Sequence, residues 1–150
     1  MAMLRGRFGD TSGRPYLEGR LILPDLRIST DISFCVDTGA DRTVLLPGDG
    51  VRMGIDFAGL TRETESVGVG GLCRNYVEPA IIVFSEPRRF LYAYMIDMEV
   101  SPPSPEIMDV PSLLGRDILN RWRMIYNPTR NRLSFEVLSA DVILPITSSD

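Results

Sequence analysis

The chain contains no histidine and no lysine; all sixteen of its basic residues are arginine. Those absences exclude Ser-His-Asp and Cys-His nucleophile systems, histidine-ligated metals, Schiff-base lysines and the P-loop lysine. An enzyme of this composition moves protons with carboxylates. Cysteine is scarce too: Cys35 lies in a strand-like run and Cys73 beside a glycine-rich turn. Two are too few for a disulfide framework or a cysteine zinc site, so both read as ordinary thiols. No apolar run reaches the length of a spanning helix, and the start, MAMLRGRFGD, lacks the apolar region of a secretory signal, so a cytoplasmic address is expected. With a net charge of −4 and scattered arginines, neither nucleic acid nor membrane is an expected partner.

What is present suits one β-rich domain. A chain of 150 residues, 44% of them apolar, can bury a core without staples. Period-2 alternation predicts strands over Leu17–Leu23, Ile28–Val36, Thr43–Leu46, Glu63–Val67, Leu72–Ile82, Phe90–Met98, Met124–Tyr126 and Leu133–Leu138. Pro47-Gly48-Asp49-Gly50 reads as a turn, residues 50–62 as irregular, and residues 101–111, with four prolines, as an extended loop. One helix is predicted, Gly115 to Trp122, from the spacing of Ile118, Leu119 and Trp122. The fold class expected is mostly β, a closed barrel or folded sheet with one short C-terminal helix.

The strand ending at Val36 runs into Asp37-Thr38-Gly39-Ala40-Asp41. Asp and Gly are ordinary turn residues, and an Asx turn is the plain reading of Asp-Thr-Gly. The apolar run before it and Ala40-Asp41 after it argue for a carboxylate presented at a tight turn. Two further pieces follow in order: Gly68-Val69-Gly70-Gly71 at a hairpin tip, and Leu113-Leu114-Gly115-Arg116-Asp117 opening the helix.

Together these pieces resemble the retropepsin family of single-domain aspartic proteases, and "LLGRDILNRWRMIYNPTRNRLSF" is similar to its bacterial group and to the eukaryotic DNA-damage-inducible proteases. The resemblance covers about 17–138 of a single 1–150 domain and implies an acid-protease fold with one lobe per chain. It implies an aspartic endopeptidase, free of metal and cofactor, that acts on peptide or protein substrates as a homodimer. Asp37 would be the catalytic aspartate. Thr38 would bond across to the partner's loop, Gly39 would allow close approach, and Asp41 would pair with Arg116 to tie the loop through Ala40 to the helix. Gly68, Val69, Gly70 and Gly71 would form a flap, with the Val69 N–H reaching substrate. Substrate pockets would be mainly apolar, lined by Val44, Ile81 and Ile82, with Arg42 adding a preference for acidic groups.

Aspartic proteolysis needs two carboxylates that share a proton, and the chain offers one suitable loop. Asp10-Thr11-Ser12-Gly13 has its glycine one place late, and Asp49-Gly50 sits in a Pro/Gly turn. The second Asp37 is therefore expected from a twofold partner. Met3–Phe8 and Val142–Ile146 are the candidate interface strands. A dimeric peptide-binding or assembly module of the same fold, without catalysis, is the competing expectation.

Overall fold

The computed structural model describes residues 1–68 and 71–147. Among the described residues there are twelve strands: β1 (Met3–Arg5), β2 (Arg7–Phe8), β3 (Pro15–Leu23), β4 (Ile28–Val36), β5 (Val44–Leu45), β6 (Glu63–Gly68), β7 (Gly71–Glu86), β8 (Phe90–Val100), β9 (Leu113–Leu114), β10 (Trp122–Asn127), β11 (Arg132–Val137) and β12 (Val142–Pro145). The helices are α1 (Pro47–Met53) and α2 (Arg116–Leu119). The sheet order β8-β5-β9-β4-β3-β7 closes on itself through a β7–β8 pairing, giving a six-stranded barrel. A second sheet, β1-β11-β10, packs beside it. No helix is long and apolar enough to cross a membrane among the described residues.

Alternation decides what the barrel encloses. Leu17, Leu21 and Leu23 of β3, with Gly19 in line with them, and Ile32, Phe34 and Val36 of β4 are buried on the inner face, while the residues that alternate with them face outward. The long β7 adds Ile82 and Phe84, and β8 adds Tyr92, Tyr94 and Met98. Trp122 seals one end. Its ring meets Phe84 edge-on at 4.9 Å, and its Nε1–H donates to the Tyr94 hydroxyl at 2.6 Å. The Tyr94 hydroxyl in turn donates to the Ser139 carbonyl at 2.7 Å, so the polar atoms of this aromatic cluster are satisfied inside the core.

The helices depart from the sequence expectation. Pro47-Gly48-Asp49-Gly50 opens α1 instead of a turn, because Pro47 sits at the first helical position, where its fixed φ helps and its missing N–H costs nothing. Gly48 is there for space: a Cβ would lie 2.3 Å from the Met108 carbonyl oxygen. α2 is four residues long, and Trp122 already belongs to β10, where it pairs with Val137.

Both terminal strands are used within the chain. β1 pairs with β11 and β12 with β8. The turn between β7 and β8 clasps both. The buried carboxylate of Glu86 accepts the Met3 N–H at 3.1 Å and the Tyr92 hydroxyl at 2.9 Å. Arg89 donates from Nη1 to the Met1 carbonyl at 3.2 Å, and its own carbonyl accepts the Ile146 N–H at 2.9 Å.

Candidate active site

Parallel pairing of β4 with β9 positions the Asp37 loop. The Cys35 N–H donates to the Ser112 carbonyl at 2.8 Å and the Asp37 N–H to the Leu114 carbonyl at 3.0 Å, so the backbone of Asp37 is fixed just as its strand ends. Asp37 Oδ1 then accepts the Gly39 N–H at 2.9 Å, and the Asp37 carbonyl accepts the Ala40 N–H at 3.2 Å. The Asx turn and the presented carboxylate are thus the same object. Half-buried Asp37 faces a cleft of about 360 Å³ lined by Pro15, Val36, Thr38, Met124 and Tyr126, in which it is the sole acid among the described residues.

Arg116 holds the loop from the start of α2. Its N–H donates to the Ala40 carbonyl at 2.9 Å, its Nη1 to the Thr38 carbonyl at 3.1 Å, and its Nη2 forms an ion pair with Asp41 Oδ1. Gly115 makes this approach possible. A Cβ there would lie 2.4 Å from the Arg42 carbonyl carbon and 2.9 Å from the Thr43 nitrogen, both backbone atoms that no rotamer can move.

Sequence reasoning missed a polar tie beneath the loop. Fully buried Thr43 donates its hydroxyl to Asp117 Oδ1 at 2.7 Å and accepts the Gly115 N–H at 3.1 Å, while its own N–H donates to Asp117 Oδ2 at 3.0 Å. Asp117 therefore serves the loop through its side chain, a role its place at a helix start did not suggest. Buried Ser112 makes a parallel tie, donating to Asp49 Oδ2 at 2.6 Å and accepting the Leu46 N–H at 3.0 Å. The only sequence signal for either was a small hydroxyl residue in an apolar run. Cys35, two residues before Asp37, has its thiol pushed up chiefly by burial, with Arg14 opposing and the Asp37 charge reinforcing. It stays protonated and structural.

Thr38 and Gly39 are exposed, and among the described residues only Asp37 Oδ1, at 3.2 Å, lies within 4 Å of a Cβ built on Gly39. On the other side of the loop, Gly39 to Arg42 and Val44 edge a second cavity, of about 440 Å³, completed by Thr64 and Glu65 of β6 and Glu99 of β8. The remaining expected pocket residues, Ile81 and Ile82, line neither of these two cavities. Ile82 points into the core with no exposed surface, and Ile81 lines a separate cavity with Pro24, Pro79 and Met95. In a strand buried between neighbours, two adjacent isoleucines take opposite faces, and neither face of β7 at that height meets the loop. Of the proposed flap, Gly68 and Gly71 are register partners at the end of the β6–β7 ladder, while Val69 and Gly70 lie outside the described residues.

No family model matches the chain, and no curated protein does. Among solved structures it is similar to a retropepsin-like aspartic protease from Rickettsia conorii, with a TM-score of 0.63 and 18% identity over 97% of this chain and 94% of that one. It is also similar to EIAV protease complexed with the inhibitor HBY-793, with a TM-score of 0.48 and 24% identity over 75% of this chain and 90% of that one. The first likeness runs nearly the full length of both chains. This chain has the fold of the retropepsin-like aspartic proteases.

Proposed function

We propose that the chain is an aspartic endopeptidase that works as a homodimer, one Asp37 from each copy. The observation that carries this reading is the loop itself: a carboxylate at the mouth of a cleft, its backbone pinned to Leu114 and its flanks pinned by Arg116. The other two acid-glycine stretches are poorer candidates. Asp49 is bonded to Ser112 and paired with Arg52, and Asp10 stands in an exposed turn.

The single chain supplies one half of the chemistry. With a second Asp37 alongside, repulsion between the carboxylates keeps one proton shared between them. The ionised member takes a proton from water as the water attacks the peptide carbonyl, and the protonated member donates to the carbonyl oxygen. The tetrahedral gem-diol then collapses, expelling the amine as it is protonated, with no covalent enzyme intermediate. Gly39 supports this arrangement, since among the described residues a side chain there would meet nothing but the Asp37 carboxylate. So do Met124 and Tyr126, exposed apolar side chains on the edge strand β10 beside Asp37. β1 and β12, like β10, pair on one side only, and it is the exposed apolar pair beside Asp37 that makes this face the one where the partner would dock.

The test is cleavage of an unbiased peptide mixture between pH 3 and 8, wild type against Asp37→Asn, with products read by mass spectrometry and both proteins first checked for folding and dimerisation. New internal termini from wild type alone are the expected result. A folded dimer that cuts nothing would sink the protease reading and favour a peptide-binding or assembly module.

A further inference from the structure

The cavity beside the Asp37 loop differs from the apolar pocket expected from the sequence. Among the described residues Val44 is its one large aliphatic lining residue; the others with functional side chains are Asp41, Arg42, Thr64, Glu65 and Glu99. Asp41 is already matched, because Arg116 takes its charge. That leaves Glu65 and Glu99 against Arg42, which forms no ion pair among the described residues.

The three unmatched charges differ in setting. Glu99 is half-buried, and Asn75 donates from Nδ2 to its Oε2 at 3.1 Å, which orients the carboxylate. Glu65 and Arg42 are exposed, so water and salt screen them more strongly. The least screened charge is therefore negative, and carboxylates outnumber guanidinium two to one. An aliphatic side chain entering here would strip water from Glu99 without replacing its hydrogen bonds, whereas a guanidinium or ammonium would supply donors. The volume, about 440 Å³, admits a long side chain.

Resting on the protease reading above, we infer that this cavity is a subsite for a basic residue of the substrate, lysine or arginine, and that Glu65 and Glu99 determine that preference. Arg42 acts in the opposite sense, lowering the affinity for cations and excluding nothing else.

The experiment uses the full chain in two assays. In the first, a randomised decapeptide library is cleaved by wild type, Glu65→Gln, Glu99→Gln and Arg42→Gln, and residues flanking each cut are counted. Lysine and arginine should be enriched at one position in wild type, the enrichment should fall about tenfold in Glu99→Gln, as loss of one charge-assisted bond implies, and by about two- to fivefold in Glu65→Gln, whose charge is more screened, and Arg42→Gln should sharpen it. Enrichment of aliphatic or acidic residues at every position, or a basic preference indifferent to both glutamates, overturns the inference. In the second assay, Asp37→Asn and its combinations with the same substitutions bind fluorescent peptides that differ only in lysine, leucine or glutamate at one scanned position. If wild type cuts nothing, the protease reading fails, and this binding assay still decides. Tighter binding of a lysine peptide that both glutamates are needed for upholds the charged subsite, and equal binding, or none, removes it.

Discussion

Replacing Thr43 by valine keeps the shape of a fully buried side chain and deletes its hydroxyl. Two bonds go with it. Asp117 loses a donor that sat 2.7 Å from Oδ1, a charge-assisted bond worth about 1.5–3 kcal/mol, and the low end applies because Asp117 is half-buried. The Gly115 N–H loses its 3.1 Å acceptor in a buried setting, at about 1–3 kcal/mol. Against that, the added methyl contributes roughly 0.8 kcal/mol of apolar burial. The net expectation is a loss of about 3 kcal/mol, or roughly 6–12 °C in Tm for a domain of this size. Thr43→Ser is the control: it keeps both bonds and loses one methyl, for about 1 kcal/mol. Urea unfolding followed by the fluorescence of the single, buried Trp122 reads both variants, at one fixed protein concentration because an associating chain is stabilised by its own partner. If valine costs no more than serine, the hydroxyl is not what ties the loop to α2, and the account of how Asp37 is positioned fails with it.

Two glycines should respond differently to alanine. Gly115→Ala drives a Cβ into the Arg42 and Thr43 backbone and should cost about 2–3 kcal/mol in the same unfolding assay. Gly39→Ala meets only a carboxylate oxygen at 3.2 Å, so stability should hold within about 1 kcal/mol while sedimentation velocity shows the proposed dimer weakened; an intact dimer would contradict the close approach assigned to this residue. On the alkaline side, burial and the bond to the Glu86 carboxylate push the Tyr92 hydroxyl up to about 12, so the folded state holds this proton more tightly than the unfolded chain does. Its contribution to stability is therefore complete below about pH 10 and lost as the pH rises towards about 12. In Tyr92→Phe the decline of unfolding free energy over that window should be shallower, and an unchanged slope would refute the assignment.

The sequence disclosed most where one face of an element is buried. β4 runs from Ile28 to Val36 as the alternation predicts, because Ile32, Phe34 and Val36 are core and the residues between them are not. α1 was hidden because two glycines and a proline look like a turn, and their reasons, the Met108 carbonyl beside Gly48 and the Phe57 ring beside Gly50, come from elsewhere in the chain. The run Ala80–Phe84 is apolar throughout, so its pattern could not say that Ile82 is core and Ile81 lines a surface cavity. At the site, Asp37 to Asp41 and Arg116 were legible as contiguous motifs. The Thr43–Asp117 tie was not, since its partners stand 74 residues apart and each is unremarkable alone. Glu65 and Glu99 were illegible for the same reason: strand pairing alone brings β6 and β8 around one cavity.

The clasp at the β7–β8 turn makes the described chain almost a ring, since Met1 and Ile146 are both bonded to Arg89. A short glycine-serine linker between the two ends, with a new opening at the exposed turn around Arg130 and Asn131, would give a circular permutant that keeps every strand pairing and leaves the Asp37 loop untouched. In that permutant β10 would become the final strand, and cargo fused to the new ends would sit next to the edge that bears Met124 and Tyr126. The order in which the strands are synthesised is therefore separable from the order in which they pair, and the position of the chain's free ends becomes a means of controlling access to that edge.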